Sequence, residues 1–313
     1  MADVCAPTVS VIVPVYEDPA GIDRTLDALT SQTADSSVYE ILAVDNGSAD
    51  RTPSVIASYR DRFPNLVEFV VEDETQGSYA ARNAGIARAN GDVFAFVDAD
   101  MSVTETWVED VLAAMRTAEY VGFDVAIEGA PTDGPVVAFN HATEFPVERY
   151  IDEQRFAPTC CLAVRREVVE TVGRFDPRFT SSGDVEFGRR VHAAGFEQTF
   201  DPSVTLSHPA RSVSELLAKY VRVGRGLGQR RRFYPERFDR HPLFSPSNYL
   251  PTLSPTRLRE SARTVQSRTG QSFGLPTLCV FYLLENLLTL SMVVGRLADA
   301  VESRRTGQSF FHS

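Results

Sequence analysis

The sequence Gly91-Asp92-Val93-Phe94-Ala95-Phe96-Val97-Asp98-Ala99-Asp100 combines a short apolar run with two carboxylates at its end. The five apolar residues predict a buried strand from Val93 to Val97. Asp98 and Asp100 stand one residue apart after this strand, so both carboxylates can face one divalent cation. A bare Asp-x-Asp is common by chance, and its meaning depends on the rest of the chain.

Similar strand patterns precede this one along the chain. An apolar, β-branched run at Val9–Val15 predicts a buried strand with Pro14 near its exposed end, and two more strands are predicted at 40–44 and 66–71. Helical spacing fills the intervals between these strands, at 21–33, 51–62 and 77–90. Four strands alternating with helices, at about 25–30 residues per unit, are typical of a parallel α/β sheet with helices on both faces.

Acidic residues stand at the ends of the predicted strands, and we single out those that follow three of them. They are Glu17 and Asp18, then Asp45, then the pair Asp98 and Asp100. Ligands of open parallel sheets bind beyond the carboxyl ends of the strands. Carboxylates gathered at that edge repel one another unless a cation or hydrogen-bond donors hold them together. The pattern therefore predicts a nucleotide bound through carboxylates and a divalent metal.

Two other nucleotide-binding arrangements do not fit the sequence. A P-loop requires a Gly-Lys pair, whereas the only lysine, Lys219, follows Ala218. A dinucleotide-binding Rossmann unit requires glycines directly after the first strand, where this chain has Pro14-Val15-Tyr16-Glu17-Asp18. The glycines at 224, 226 and 228 follow a helical pattern rather than a strand, so they are a weak signal for such a unit.

Charge is distributed unevenly along the 313 residues. Residues 1–210 hold 15 basic and 35 acidic side chains, a balance of −20, whereas residues 211–313 hold 16 basic and seven acidic ones, a balance of +9. An acidic body excludes nucleic acid as a partner, and a basic tail suits anionic lipid or pyrophosphate. Thirty of the 31 basic residues are Arg, and an acid excess with almost no Lys is typical of proteins from salt-loving organisms.

The N-terminal and cysteine patterns predict a cytoplasmic protein. No basic residue precedes Arg24, so no signal peptide is expected. The four cysteines have neither disulfide-framework nor metal-ligand spacing, and adjacent Cys160 and Cys161 are interpreted as packed thiols.

Four ordered motifs carry a family resemblance. They are 11–18 (Val-Ile-Val-Pro-Val-Tyr-Glu-Asp), 44–52 (Val-Asp-Asn-Gly-Ser-Ala-Asp-Arg-Thr), 77–86 (Gly-Ser-Tyr-Ala-Ala-Arg-Asn-Ala-Gly-Ile) and 96–100 (Phe-Val-Asp-Ala-Asp). In this order they resemble the opening strand, the base-reading Asp motif, the third motif and the Asp-x-Asp of the family 2 inverting glycosyltransferases, which have the GT-A fold. The resemblance runs from Val9 to His208, about two-thirds of the chain.

The downstream part resembles the same family as far as its catalytic acid. In the run 183–190 (Gly-Asp-Val-Glu-Phe-Gly-Arg-Arg), Asp184 falls on the usual catalytic position, whereas Gly183 replaces the Glu that usually precedes it. His208, which follows an apolar strand predicted at 204–206, resembles the family's metal-binding His. Asp184 is therefore expected to be in place as the catalytic base. Its supporting hydrogen bonds are expected to differ from those of the family, because Gly183 has no side chain.

The resemblance implies a role for each of these positions. Asp184 would be the catalytic base, and Asp100 with His208 would hold Mg²⁺ or Mn²⁺. Donor binding is expected at seven residues: Pro14, Tyr16, Glu17, Asp45, Arg82, Asn83 and Asp98. Contacts with the acceptor or its pyrophosphate are expected at Glu186, Gln229 and Arg232.

Several of these positions also have a purely structural interpretation. Asp45 can form a turn before Asn-Gly, and Asp184 can cap the helix predicted after it. Glu186 can be a solvated acid in the first turn of that helix. His208 can be a structural histidine, and Arg82 can lie on a helix surface. The sequence leaves these alternatives open.

The C-terminal hundred residues are predicted to be helical and to contact a membrane. A helix from Ser212 is expected to end near Gly224, before the run 229–233, which weakly resembles a Gln-x-x-Arg-Trp motif of polysaccharide synthases. The apolar stretch 275–297 is long enough to span a bilayer at about 1.5 Å per residue, but Glu285 opposes a stable lone span. We expect a helix pair in or dipping into the interface, with four arginines facing lipid: Arg257, Arg259, Arg263 and Arg268. A buried helix packed on the catalytic domain is the alternative.

Together these observations predict an α/β fold of the GT-A type, a Rossmann-like, mostly parallel sheet flanked by helices with a C-terminal helical, membrane-associating segment. Residues 1–210 are expected to form the nucleotide-sugar-binding and catalytic domain, and residues 211–313 the basic and apolar helical region. The expected function is metal-dependent, inverting transfer of a hexose from a nucleotide-diphosphate sugar to a lipid-linked glycan, such as a polyprenyl or dolichyl phosphate glycan of surface-glycoprotein or polysaccharide assembly. The expected location is the cytoplasmic face of the membrane.

Two other functions are considered beside this one. A nucleotidylyltransferase shares the sheet and the metal, but it would usually have a Gly-rich basic loop after the first strand, where this chain has none. A non-catalytic relative that binds a glycan or a nucleotide sugar is suggested only by Gly183.

Overall fold

The computed structural model describes residues 8–237, 263, 266–267 and 270–305, and these residues are divided between two structural units. The sheet unit comprises the described residues within Met1–Ala126, Phe145–Arg178 and Gly183–His208. The helical unit comprises those within Ile127–Glu144, Phe179–Ser182 and Pro209–Ser313. Each unit is therefore assembled from three separate segments of the chain.

Strands and helices alternate through the first hundred residues, as predicted. The strands are β1 (Val9–Val15), β2 (Tyr39–Asp45), β3 (Val67–Val71), β4 (Val93–Val97), β5 (Ser102–Val103), β6 (Tyr120–Ile127), β7 (Cys161–Arg165) and β8 (Gln198–His208). The helices are α1 (Pro19–Thr30), α2 (Thr52–Arg62), α3 (Ser78–Arg88), α4 (Trp107–Ala114), α5 (Pro135–Thr143), α6 (Val147–Arg149), α7 (Arg166–Val172), α8 (Gly183–Ala193), α9 (Val213–Phe233) and α10 (Leu275–Arg305). A 3₁₀ turn at Pro131–Asp133 and a π-helical turn at Tyr150–Gln154 precede and follow α5.

Within the described residues, eight strands form one sheet in the order β3-β2-β1-β4-β7-β6-β8-β5. The neighbours in the β3-β2-β1-β4 half are parallel, which confirms the predicted parallel arrangement of the first four strands. β7 runs antiparallel to both β4 and β6, and β5 pairs antiparallel with β8. The result is an α/β sheet flanked by helices, as predicted, in which an antiparallel half joins the predicted parallel half.

β1 lies inside the parallel half and is buried along its whole length. It pairs with β2 from Val9 to Val15, but its pairing with β4 ends at Ile12, opposite Phe96. Because proline has no N–H to donate, Pro14 is tolerated where the ladder with β4 has already ended. Pro14 is therefore buried in β1, beyond the last residue of that strand that pairs with β4.

α1 begins beside the Asp-x-Asp motif. Asp18 caps the helix, because its side chain accepts a hydrogen bond from Gly21 N at 2.8 Å. A Cβ on Gly21 would lie 2.7 Å from the carbonyl oxygen of Ala99, so only glycine allows the helix to start this close to the motif. Three apolar residues at helical spacing, Ile22, Leu26 and Leu29, bury the inner face of the helix, as predicted.

In the helical unit, α9 begins with a capping box formed by Ser212 and Glu215 and continues to Phe233. The predicted end of this helix near Gly224 is wrong. A Cβ on Gly224 would lie 2.1 Å from the carbonyl oxygen of Met292, so the glycine permits close contact between α9 and α10. Glycine in a helix interior costs about 1 kcal/mol relative to alanine. The packing of α9 against α10 outweighs this cost.

Apolar side chains of α5, α9 and α10 form a buried cluster, consisting of Ala138, Phe139, Ala142, Leu216, Phe281, Leu284 and Leu288. Phe139 and Phe281 meet edge to face with ring centroids 5.4 Å apart. Glu144, which follows α5, is buried and accepts hydrogen bonds from Arg211 and from Lys219. These contacts join the chain before residue 145 to the C-terminal helices of the same unit.

α10 extends to Arg305, beyond the predicted stretch 275–297, and it is the one helix in the described part of the chain that is long and apolar enough to cross a bilayer. One face of α10 belongs to the buried cluster. The other face carries an exposed apolar stripe at spacings of three and four residues: Leu283, Leu287, Leu290, Val294, Leu297 and Val301. Of the arginines expected to face lipid, Arg263 is exposed, and Arg257, Arg259 and Arg268 lie outside the described residues.

Candidate donor and catalytic site

The strand ends of the sheet unit bring most of the predicted site residues to one edge. Because β1, β2 and β4 are parallel neighbours, Tyr16, Asp45 and Asp98 all follow or end strands at the same edge of the sheet. Tyr16 is about half exposed at this edge. The arrangement agrees with the expectation that ligands bind beyond the carboxyl ends of the strands.

Asp45 is buried, with 3% of its surface exposed, at the end of β2. Its Oδ2 accepts a hydrogen bond from Ser48 N at 3.2 Å, so the predicted turn uses one oxygen. Among the described residues, its Oδ1 has no hydrogen-bond partner. A buried acceptor without a partner costs about 1–3 kcal/mol, and a ligand N–H would remove that cost.

The loops around Asp45 are tied together by hydrogen bonds. Glu17 N donates to the Ser48 Oγ at 2.9 Å, which joins the end of β1 to the loop after β2. Asn46 donates from Nδ2 to the carbonyl oxygens of Glu72 and Thr75, at 2.7 and 2.9 Å, and its Oδ1 accepts from Gly77 N at 2.6 Å. Asn46 thus fixes the loop before α3.

Asp98 forms an ion pair with Arg82 across the site. Arg82 Nη2 lies 2.5 Å from Asp98 Oδ1, and the Arg82 side chain is buried whereas Asp98 is partly exposed. The guanidinium also lies over the ring of Tyr79, 5.5 Å from its centroid. Arg82 is therefore buried beside the Asp-x-Asp motif and does not lie on the helix surface, which was the alternative.

A threonine on α1 holds the backbone of the Asp-x-Asp motif. Thr25 Oγ1 lies 2.9 Å from the carbonyl oxygen of Ala99 and 2.7 Å from that of Met101. These two residues flank Asp100 in sequence, so the hydroxyl fixes the backbone on both sides of this carboxylate. Sequence reasoning missed this role, because Thr25 is 74 residues from its partner in the chain.

The pairing of β5 with β8 brings His208 to Asp100. Ser102 lies opposite Ser207 in this antiparallel pair, and His208 Nε2 lies 3.2 Å from Asp100 Oδ2. His208 is buried, and its ring packs against Phe145 with centroids 5.2 Å apart. The two predicted metal ligands therefore lie close together, although one follows β4 and the other ends β8.

The donor set suits a hard divalent cation bound together with a ligand. Carboxylate oxygen and imidazole nitrogen are both ligands of Mn²⁺, and Mg²⁺ commonly takes one or two carboxylates together with phosphates. No group of three or more His, Cys, Asp or Glu residues arranged to hold a metal occurs in the described part of the chain. Asp100 and His208 would thus leave the other positions of such a cation to phosphate oxygens and water.

Two buried thiols lie near this pair of residues. Cys160 and Cys161 are both free and buried, as the packed-thiol interpretation expected. A hydrogen bond with Cys161 and burial raise the pKa of the Cys160 thiol, and the charges of Asp98 and Asp100 raise it further. The Cys160 side chain is therefore a neutral thiol beside the acidic edge.

Asp184, the predicted base, lies in the first turn of α8 and contacts α3. Its Oδ1 accepts from Val185 N at 2.9 Å and lies 3.3 Å from the Tyr79 hydroxyl. Burial raises the pKa of Asp184, although the Val185 N–H, the Arg82 charge and the Tyr79 hydroxyl act in the opposite direction. A carboxylate with a raised pKa is a stronger proton acceptor at neutral pH.

Glu186 and Asn83 form hydrogen bonds that hold neighbouring segments of the chain. Glu186, only 1% exposed, accepts the Arg190 Nε hydrogen, which is shared between its two carboxylate oxygens, and Arg190 also donates to carbonyl oxygens at 172–174. The solvated first-turn acid considered for Glu186 does not fit this burial. Asn83 donates to Phe175 O at 2.8 Å and accepts from Phe175 N at 3.1 Å, so it holds the chain that follows that loop.

The two remaining predicted residues belong to the helical unit. Gln229 Oε1 accepts from the N and Oγ1 of Thr180, at 2.9 and 3.1 Å. Arg232 forms a buried ion pair with Asp299 of α10 at 2.9 Å. Both side chains therefore have internal partners, and the acceptor role expected for them stays a prediction.

Comparison with a family model and with known proteins identifies this chain as a glycosyltransferase of family 2. Residues 10–173 match the family model described as glycosyl transferase family 2. The chain is 40% identical over 225 residues to glycosyltransferase AglE of Haloferax volcanii, a match that covers 70% of this chain and 73% of that protein. It is 31% identical over 179 residues to an uncharacterized glycosyltransferase of Nostoc sp., and there it spans 54% of each chain.

A solved structure shares the fold. It is that of the mannosyltransferase PcManGT from Pyrobaculum calidifontis in complex with GDP-Man and Mn²⁺. The TM-score is 0.63 at 20% sequence identity, and the match covers 95% of this chain and 88% of that one. At this identity the likeness supports the predicted GT-A fold.

Proposed function

We propose that this chain, which belongs to glycosyl transferase family 2, moves one sugar from a nucleotide-diphosphate donor to a lipid-linked acceptor with inversion at the anomeric carbon. One observation carries the proposal. A continuous set of contacts runs from Asp98 through Arg82 and Tyr79 to Asp184, which supports the proposal that the Asp-x-Asp carboxylate and the base act in one site. Family membership favours a transferase over the nucleotidylyltransferase considered above.

The donor nucleotide is proposed to bind at the edge formed by β1 and β2. The unpartnered Oδ1 of Asp45 suits a base N–H, and the partly exposed Tyr16 beside it offers an aromatic face. Pro14 near the end of β1 and Glu17 just after it are proposed to line the donor site at this edge. Arg82, held by Asp98, brings a positive charge that suits the donor phosphates.

Asp100 and His208 are proposed to hold the divalent cation, Mg²⁺ or Mn²⁺. When bound, such a cation neutralises charge on a departing diphosphate. The Mn²⁺ that accompanies PcManGT supports this assignment. Thr25 supports the site from α1, because it fixes the backbone on either side of Asp100.

Asp184 is proposed to accept the proton of the attacking acceptor hydroxyl. As the acceptor oxygen forms its bond to the anomeric carbon, the bond from that carbon to the diphosphate oxygen breaks, and the nucleoside diphosphate departs on the opposite side. Direct displacement of this kind inverts the anomeric carbon. General-base catalysis contributes about 10²–10⁴-fold in rate, and the raised pKa of Asp184 suits that role.

The lipid-linked acceptor and the membrane location are proposed from the C-terminal region. The apolar stripe of α10 exposes six large side chains on one face, and residues 211–313 carry a balance of +9. The opposite face of α10 contains the buried charges of Arg296 and Asp299, which oppose a lone membrane span. We therefore place the stripe in the interface of the cytoplasmic leaflet, with residues 1–210 providing catalysis and residues 211–313 membrane attachment.

The proposed chemistry is tested by two substitutions and a matched control. With Mn²⁺ and a panel of GDP-mannose, UDP-glucose and UDP-N-acetylglucosamine, Asp184→Asn and Asp100→Ala are expected to lose about 10²–10⁴-fold of transfer or hydrolysis activity. Asp61→Asn, which changes an exposed carboxylate paired with Arg60, should keep wild-type activity. Full activity in both site variants would refute the proposed mechanism.

A calorimetric titration of the same donors separates the non-catalytic alternative. If the wild-type chain binds a donor but does not turn it over, the result would favour the non-catalytic binding protein that Gly183 suggested.

A further inference from the structure

Gly183 stands directly before the proposed base, at a place where space is restricted. A Cβ on Gly183 would lie 2.7, 2.8 and 2.9 Å from the Cε2, Cζ and Cδ2 atoms of the Tyr79 ring. Gly183 is not among the described glycines with a positive φ angle, so its backbone does not require glycine. The ring of Tyr79 therefore excludes a side chain at position 183.

The hydroxyl of the same tyrosine contacts Asp184 at two points. It lies 3.3 Å from Asp184 Oδ1, to which it donates, and 3.3 Å from Asp184 N, from which it accepts. A hydroxyl has one donor and two acceptor positions, so both contacts can form together. Burial raises the pKa of Tyr79 well above its usual range, and the hydroxyl stays protonated as a donor.

Packing against two neighbouring side chains restricts the orientation of the Tyr79 ring. Phe175 lies 5.8 Å away between ring centroids, and the guanidinium of Arg82 lies over the ring. Phe175 is itself held by Asn83 through two backbone hydrogen bonds. The hydroxyl therefore reaches Asp184 from a rigid support, and both contacts lie within the sheet unit.

We propose that Tyr79 is the positioning residue of Asp184, and that Gly183 is required because the Tyr79 ring occupies the space next to it. This inference rests on the proposed function, because it takes Asp184 as the base.

The hydroxyl has a defined effect on the ionisation of Asp184. The titratable and charged groups that face this carboxyl are Arg82 and Tyr79 of α3 and Tyr120 of β6. Arg82 and the Tyr79 hydroxyl both favour the ionised carboxylate, against burial. Removal of the hydroxyl is therefore expected to raise the pKa of Asp184.

Tyr79→Phe tests the positioning role against the matched control Tyr39→Phe. Tyr39 is also buried in the sheet unit, and its hydroxyl donates to Leu29 O at 3.0 Å, so both variants lose one buried hydroxyl. The Asp184 carboxyl is titrated by ¹³C NMR after aspartate labelling, with Asp184→Asn for assignment. Its pKa should rise in Tyr79→Phe only, and the acid limb of kcat should move to higher pH with little change in donor KM.

Unchanged Asp184 titration in Tyr79→Phe would overturn the positioning role, whatever the activity. The proposed function fails separately, if Asp184→Asn turns over GDP-mannose, UDP-glucose or UDP-N-acetylglucosamine with Mn²⁺ as fast as the wild type. A merely structural role for Tyr79 predicts equal losses of melting temperature in both tyrosine variants and no shift of the pH profile.

Gly183→Ala tests whether the Tyr79 ring requires glycine at position 183. The measurement is thermal stability, so it does not depend on enzyme activity. The added methyl group should lower the melting temperature by on the order of 5 °C in the wild-type and Tyr79→Phe backgrounds, because both keep the ring. In a Tyr79→Ala background the same change should cost little, because the ring is gone. Equal losses of melting temperature in all three backgrounds would overturn the steric requirement.

Discussion

Thr25→Val is a sharp test of how the protein holds its Asp-x-Asp motif, because valine has nearly the same shape and lacks only the donor. Thr25 is 1% exposed, and its hydroxyl serves the carbonyl oxygens of Ala99 and Met101. Both of these residues are buried, so water cannot replace the lost donor. The hydroxyl has one hydrogen to share between the two carbonyls, so the substitution should cost about 1–3 kcal/mol of unfolding free energy, the cost of leaving one buried acceptor unsatisfied.

The magnitude converts into two measurements. At about 2–4 °C per kcal/mol for a chain of this size, the melting temperature should fall by roughly 2–12 °C. Because the lost hydrogen bonds flank Asp100, the Mn²⁺ concentration for half-maximal activity should rise by about 10–100-fold, the usual effect of removing an outer support of a metal ligand. Differential scanning calorimetry and Mn²⁺ titration of donor turnover measure these two quantities.

Thr30→Val provides the control on the same helix. The Thr30 hydroxyl bonds to carbonyl oxygens of its own helix, Leu26 O and Asp27 O, so its loss should change stability by only a few tenths of a kcal/mol. The reasoning is refuted if Thr25→Val is no less stable than Thr30→Val. It is refuted equally if the Mn²⁺ requirement is the same in both variants.

Two further predictions concern the base and the apolar stripe. Burial raises the folded-state pKa of Asp184 above its unfolded value, so the stability that this carboxyl contributes is complete below the unfolded pKa and is lost as pH rises through the folded pKa. Asp184→Asn should therefore melt at a higher temperature than the wild type at about pH 7.5 and at the same temperature near pH 3.5; calorimetry showing equal stability at both pH values would contradict this. Leu287→Asp combined with Val294→Asp should abolish co-flotation with phosphatidylglycerol vesicles and leave the melting temperature unchanged, since both residues are exposed. Ser214→Asp on exposed α9 surface is the control, and continued flotation of the stripe variant would count against the membrane face.

The parallel half of the fold was predictable because its signals are local. Apolar runs of strand length, helical spacing between them and acids at the strand ends lie within about 30 residues of one another. The predicted strand Val93–Val97 has those bounds in the structure, and the strand predicted at 40–44 extends by one residue at each end, to Tyr39–Asp45. The family prediction was confirmed for the same reason, because its motifs are contiguous runs.

The antiparallel half was not predicted, because pairing between distant strands leaves no local pattern. β8 covers Gln198–His208, whereas only its apolar part at 204–206 was recognised from the sequence. The pairing of this strand with β5 places His208 beside Asp100. The His208 assignment came from a resemblance, and the contact that gives it a partner came only from the fold.

Supporting residues were the main omission at the site. Tyr79, Thr25 and Asn46 each act through hydrogen bonds to residues 26–105 positions away, and none has a residue type that signals chemistry alone. Asn46 lies in the motif 44–52, where the sequence drew attention only to Asp45. In α9, packing against α10 overrode the helix-ending signal of Gly224, which is a tertiary effect that local propensity cannot give.

The three-segment composition of the helical unit has a practical consequence for dissecting the protein. A chain truncated at residue 210 would lose α9 and α10 but keep α5, leaving Phe139 and Ala142 without the side chains that bury them. It would also strip Glu144 of both Arg211 and Lys219, the cations that neutralise it. Such a fragment would expose an aggregation-prone apolar surface next to the unpaired Glu144 carboxylate. Soluble expression of residues 1–210 alone should therefore require redesign of that surface.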